Sequence, residues 1–538
     1  MTRTQVTPIR IGVGAVAITT AMAITGCTTN GGAKGDSTQQ GDGSTKTLVV
    51  DNAFDLKTSD PARSFEATGN VVDKALYETT VTFTGSDVTK PVPQLTTYAQ
   101  SADDKTLTLT LTGKHIFSSG NPVTADDIVW SYQRVQGIAG NPSFLLQDPA
   151  GKNIEIAKTG SDTVTLTSSV PNSQLPYILP NTSLGILDAK TLEKHGGSST
   201  KSDAAESYLN GNSAGSGPYQ LSSYDVNSKV VFGPNPNYTG HKPAYGRVVL
   251  QNVLGPQQKI NVQSNEAQVA LNLNADQVQG LDSGSTRVVK DTSPNVFYLW
   301  FSQDPAISQG VTDKPQFLTA VRTGIDYDKI LAIAGSGSIQ PGGMVPSQFL
   351  GAIKPDVTNT TNKSSATAAL ASAGYKGQTI EFSYPTGTVV NGVDVGTIAQ
   401  ALQSQLQAVG ISLKLSGSPS STFSDAYRAG KLQSGITYWS PDYPDPADYL
   451  VFGPGGPLAK RTGWFADSDK NVTAAMDAAV SASGAPARGT AYAAWQRLMN
   501  AHSPFVPVVQ PGQYLVTASS VSSIVANPVW SVDLATIE

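Results

Sequence analysis

The chain has 538 residues, a formal net charge of −5 and a single cysteine, Cys27. That length exceeds what one hydrophobic core serves, so two or three lobes are expected. The mild charge and the lack of any polybasic block argue against nucleic acid as a partner, and one cysteine excludes an internal disulfide framework.

The first element is an N-terminal signal. Arg3 and Arg10 precede an apolar run from Ile11 to Ile24, which ends at Thr25-Gly26-Cys27. The run is too short to span a bilayer as a mature helix and has the layout of a secretory signal. Cysteine directly after Thr-Gly resembles the lipobox of bacterial lipoproteins, which implies lipidation of Cys27 and a mature chain starting there. Thr28 to Thr45 is almost wholly Gly, Ser, Thr, Asn, Gln and Asp, a composition that cannot bury enough surface to fold and serves as a tether. The expected division is a signal over 1–26, a tether over 27–46 and a globular body from Thr47. A lipid-anchored protein on the outer face of the cell membrane follows, with the tether favouring a Gram-positive surface.

The body reads as mixed α and β. Thr106–Thr112 and Thr163–Thr167 alternate polar and apolar residues with period two, as half-buried strands do. Val230–Phe232 and Val248–Leu250 are further strands. Thr124-Ala125-Asp126-Asp127 opens a helix, with Thr124 as cap and Asp127 at the capping-box position. Ile398, Leu402, Leu406 and Val409 lie at helical spacing, and Gly410 stops that helix. Ala474–Val480 and Ala491–Met499 form a late helical pair.

Catalytic patterns are poorly supported. Gly211-Asn212-Ser213-Ala214-Gly215 matches a nucleophile elbow but lacks the buried strand that must precede one. Ser198-Ser199-Thr200-Lys201 and Lys158-Thr159-Gly160 occur in the wrong order for a penicillin-binding enzyme. The four histidines are scattered, so no protein-built metal site is expected, and no cofactor motif is present. An enzyme is not expected.

Ordered segments instead resemble the extracellular solute-binding proteins of family 5, the peptide and nickel-type receptors of ABC importers. They are Asp60-Pro61-Ala62, Ala75-Leu76-Tyr77-Glu78-Thr79, Phe117-Ser118-Ser119-Gly120-Asn121-Pro122-Val123-Thr124-Ala125-Asp126-Asp127, Gly215-Ser216-Gly217-Pro218-Tyr219, Asn235-Pro236-Asn237-Tyr238, Val321–Ile330 and Trp439-Ser440-Pro441-Asp442-Tyr443-Pro444-Asp445-Pro446. The resemblance runs from about Leu48 to Val532.

It implies an α/β, two-lobed periplasmic-binding-protein fold of the large type II class, hinged by two crossover strands, Phe297–Phe301 and Phe505–Val509. The expected bounds are 47–301 for the first lobe, with a subdomain near 76–212, then 302–503 for the second and 504–538 for the return. The implied partners are a peptide held between the lobes and the transmembrane subunits of a permease, with the receptor itself a monomer. In peptide-binding relatives the aspartate after this tryptophan pairs with the ligand α-amino group. By that resemblance Asp442 is the amine anchor, with Trp439 and Tyr438 as neighbouring wall. Phe65-Glu66-Ala67-Thr68 and Phe144 are expected to face the cleft, while Asp445 reads as structural. One departure is plain: dipeptide-binding members carry an arginine in the stretch matching Tyr384–Val390, and no arginine or lysine lies between Gln378 and Leu413. That favours longer peptides, or a non-peptide solute such as a metal chelate, a siderophore-like compound or a sugar.

Overall fold

A computed structural model describes residues 46–538. Cys27, the signal and the tether lie outside the described residues. The Thr106–Leu111 strand buries Leu107 and Leu109 and turns its threonines outward, as the period-two pattern predicts. It pairs antiparallel with Thr96–Gln100 and Thr163–Thr167, and Glu155–Lys158 completes a four-stranded sheet. The helix Ala125–Ile138 packs on this sheet, and its Thr124–Asp127 capping box is formed in both directions.

Two larger sheets carry the rest. A seven-stranded sheet joins Thr47–Asn52 and Arg247–Asn252 at its centre, with Gly512–Ala518 near one edge. A five-stranded sheet contains Leu413–Pro419, Ile380–Thr386, Ser434–Trp439, Val296–Phe301 and Phe505–Val509. All six residues of Val296–Phe301 are buried, because this strand is paired on both edges and covered on both faces. Leu299 and Phe301 pack into an aliphatic core, while Tyr298 and Trp300 enter an aromatic one on the opposite face. Helices Val395–Gln407, Lys470–Ser481 and Ala485–His502 realise the apolar spacings read from sequence.

The chain passes twice between the two large sheets. Thr286–Thr292 belongs to the seven-stranded sheet and Val296–Phe301 to the five-stranded one; Phe505–Val509 and Gly512–Ala518 reverse that order. The crossings themselves are therefore the short segments 293–295 and 510–511, not the apolar strands beside them. They are bonded to each other: Ser293 N–H donates to the Pro511 carbonyl at 2.8 Å, and Gln510 Nε2 to the Ser293 carbonyl at 2.9 Å.

A buried ion cluster fixes the loop after the first strand. Arg134, fully buried, donates to Asp60 Oδ1 at 2.7 Å and Oδ2 at 2.5 Å, and to Asp203 Oδ1 and Oδ2, both at 2.9 Å. This fork-on-fork geometry is strong and directional. It ties the Asp60-Pro61 step, and with it the loop to Glu66, to the helix Ala125–Ile138. Gly217 sits at a close approach of two backbones: an added Cβ would lie 2.5 Å from the Leu76 carbonyl carbon.

Candidate ligand-binding cleft

Ser434–Trp439 starts buried and becomes half-buried at Thr437, Tyr438 and Trp439. Ser440-Pro441 then ends the strand, since proline cannot continue the ladder. The turn that follows is folded around Asp448, whose buried Oδ2 accepts the Trp439 indole N–H at 3.2 Å and the Asp442 main-chain N–H at 3.1 Å. Asp445 caps the helical turn Pro446–Phe452 through Ala447 N–H at 2.9 Å and pairs with buried Arg488 at 2.7 Å. The Arg488 guanidinium lies over the Tyr177 and Tyr492 rings at 5.3 and 5.7 Å. Asn181 Nδ2 donates to the Asp442 carbonyl at 3.2 Å, tying the turn to the segment beneath the four-stranded sheet.

The opposite wall begins at the helix Ala67–Leu76. Its first amides are capped from a distance: Asp55 accepts Ala67 N–H at 3.2 Å and Thr68 N–H at 2.8 Å. Negative charge at a helix start is favourable, so the Asp55 charge is spent there. Glu66 forms an ion pair with Lys57 and accepts Phe65 N–H at 3.1 Å.

Between these walls lies a cleft of about 620 Å³. Phe65, Glu66, Ala67, Tyr438 and Asp442 all line it, together with Asp55, Asn295 and Asn391. Three expected residues do not. Trp439 packs on Phe452, with ring centroids 5.6 Å apart, on the face of the sheet away from Tyr438. Thr68 is buried, its hydroxyl accepting the Asp55 N–H at 3.2 Å. Phe144 stands edge-on to Phe65 at 5.5 Å.

The electrostatics single out one group. Among the described residues no lysine or arginine lines the cleft. Of its three carboxylates, Asp55 and Glu66 are engaged as above, whereas the Asp442 carboxyl has no hydrogen bond or ion pair among the described residues. Burial raises its pKa to about 6. Burial, and then the nearby Asp442 charge, raise Asp448 well above the usual carboxylate range. A half-buried carboxylate facing a cleft with no counter-ion is suited to pair with a cation brought by a ligand. Among the described residues no group of three His, Cys, Asp or Glu side chains is placed to hold a metal ion.

Asp55, Asn295 and Asn391 were not singled out from sequence. Asn391-Gly392 carries the one usable signal, an Asn-Gly pair between Val389-Val390 and Val393-Asp394. It forms the expected tight hairpin, with φ of 49° and 80° at the two turn residues.

The profile of the bacterial extracellular solute-binding proteins, family 5 (middle region), matches residues 90–455. The chain belongs to that family. As a family 5 solute-binding protein it binds its ligand and is not an enzyme. It is 26% identical over 416 residues to the probable D,D-dipeptide-binding periplasmic protein of Escherichia coli, covering 75% of this chain and 77% of that one. It is 23% identical over 523 residues to di/tripeptide-binding protein 2 of Pseudomonas aeruginosa, covering 92% and 95%. In fold it resembles the ABC transporter substrate-binding protein CtaP of Listeria monocytogenes, with a TM-score of 0.78, 16% identity and coverage of 92% and 99%.

Proposed function

We propose that this protein is the peptide receptor of an ABC importer, holding the ligand α-ammonium against Asp442 and handing the peptide to a membrane permease. The observation that carries the reading is the Asp442 carboxyl, which among the described residues has no partner and lies in a cleft lined by no basic residue. The names of the two curated relatives, one dipeptide-binding and one di/tripeptide-binding, agree with it. Tyr438 and the Phe65–Ala67 loop form the walls beside the ammonium. The seven-stranded and five-stranded sheets serve as cores of the two lobes, and the paired crossings at 293–295 and 510–511 act as the hinge about which they close. Cys27 carries the lipid that keeps the receptor at the membrane, and the receptor works as a monomer.

The test is thermal unfolding of residues 47–538 with free-amine peptides of two to eight residues and their N-acetylated counterparts. A ligand at 100 times its Kd adds about 2.7 kcal/mol to the native state. Stabilisation by free-amine peptides, lost on acetylation and in Asp442→Ala, is the expected result. No stabilisation by any peptide overturns the reading in favour of a non-peptide solute.

A further inference from the structure

The main cleft does not end at the Val389–Asp394 hairpin. Beyond it lies a second chamber of about 330 Å³, and Leu271, Asn272, Val389, Asn391 and Gln513 border both spaces. Among the described residues no charged side chain lines this chamber. Its polar lining is carboxamide, Asn272, Asn274, Gln277, Asn391 and Gln513, apart from Tyr514, whose hydroxyl donates to the Ser336 carbonyl.

Four of these carboxamides are held in the same sense. Asn272 Oδ1 accepts Ala53 N–H at 2.7 Å. Asn274 and Gln277 brace each other, each side-chain oxygen accepting the other's main-chain N–H at 2.9 Å. Asn391 Oδ1 accepts the Ser293 hydroxyl at 2.7 Å and Asn295 Nδ2 at 2.8 Å. A main-chain N–H can be met only by the oxygen end of an amide, so the orientation of the first three is fixed by their partners. In all four the oxygen is consumed by protein, and the NH₂ group has no partner among the described residues. The chamber is therefore neutral and rich in unused donors.

We infer that this chamber grips the distal part of an extended ligand through its oxygen acceptors, the carbonyls of a peptide main chain and its terminal carboxylate. This rests on the peptide reading above, in which the amine end is fixed at Asp442 in the main cleft. Carboxamide donors then do the work for which an arginine would otherwise be needed, and without a counter-charge they tolerate an amide end as well as an acid. Main-chain carbonyls recur with every residue, so such donors hold length without reading side chains. Four donors held by the protein before binding also lose little freedom when the ligand arrives.

Two substitutions isolate the donors. Asn274→Asp and Gln277→Glu each keep the oxygen that accepts the partner's N–H and replace the free NH₂ by an acceptor. The unliganded variants should keep their unfolding midpoint, which separates a folding defect from a lost contact. Kd is measured by calorimetry for free-amine peptides of two to eight residues, each as C-terminal acid and amide, on the wild type and both variants. In the wild type, affinity should rise with length until the chamber is filled, with acid and amide within about threefold. Each variant should weaken the longest peptides at least tenfold and leave dipeptides within twofold. A wild-type Kd independent of length, or variants that change long and short peptides alike, overturns the inference while leaving the peptide receptor intact. If no peptide binds the wild type, the receptor reading and this one fall together.

Discussion

The main-chain N–H of Asp442 donates to the buried carboxylate of Asp448 at 3.1 Å, so two acids meet at one strand end. Neither has an ion-pair partner among the described residues. With Asp442 titrating at about 6, the unliganded site is partly protonated at mildly acidic pH. An ammonium ligand needs the ionised form. Its affinity should be flat above pH 7 and about tenfold weaker at pH 5, with a proton released on binding there. Calorimetry in two buffers of different ionisation enthalpy measures both quantities. An unchanged Kd from pH 7 to pH 5 counts against Asp442 as the anchor.

The same raised pKa sets a stability prediction of definite sign. The unfolded chain releases the Asp442 proton near pH 3.9, whereas the folded chain holds it to about 6. The native state thus binds more protons in that window, and stability falls as pH rises through it. Asp442→Asn removes the desolvated charge. At pH 7 the unliganded variant should be more stable by on the order of 1–3 kcal/mol, and at pH 4 the difference should shrink toward zero. Denaturant unfolding at the two pH values checks this. A variant more stable but unable to bind is the pattern of a site strained for function.

Local chemistry was legible and long-range juxtaposition was not. The Thr106–Leu111 alternation and the Thr124–Asp127 box each depend on neighbours a few residues apart, and both formed as read. The crossings at 293–295 and 510–511 are short polar or proline-containing segments beside apolar strands, and periodicity marks strands, not the gaps between them. Tyr438 and Trp439 show a finer limit. Adjacent strand residues point to opposite faces, so only one of the two can border the cleft, and which one depends on the sheet's neighbours. The pairing of the Asn391 hairpin with Asn272 and Asn274 depends on residues more than a hundred positions apart, and no local pattern encodes it.

Arg134 holds a buried ion cluster outside the cleft. Asp60 and Asp203 are buried, and without the guanidinium only Arg63, with a side chain 26% exposed, remains to offset them. Arg134→Met should cost about 3–5 kcal/mol, the range for removing one partner of a buried ion cluster. Arg63→Met should cost about 1 kcal/mol or less, because its contacts are partly solvated. Denaturant midpoints of the two variants give the comparison. Because Asp60 leads into the Phe65–Ala67 wall, Arg134→Met should also weaken ligand binding where the protein still folds.

Gly392 and Gly387 separate backbone strain from a close approach. Both have positive φ, 80° and 70°, where a side chain is strained. A Cβ at Gly387 would meet nothing within 4 Å, whereas at Gly392 it would lie 2.1 Å from the Cβ of Asn274. Alanine at either site should lose roughly 1–2 kcal/mol from φ strain alone. Only Gly392→Ala must also push the hairpin off the 271–277 segment, displacing Asn391 and Asn274 from each other across the second chamber. Gly387→Ala should therefore keep ligand affinity within twofold, and Gly392→Ala should lose at least fivefold for the longest peptides. Equal effects of the two on affinity would mean that the hairpin contact contributes nothing to binding and that its glycine serves the turn alone.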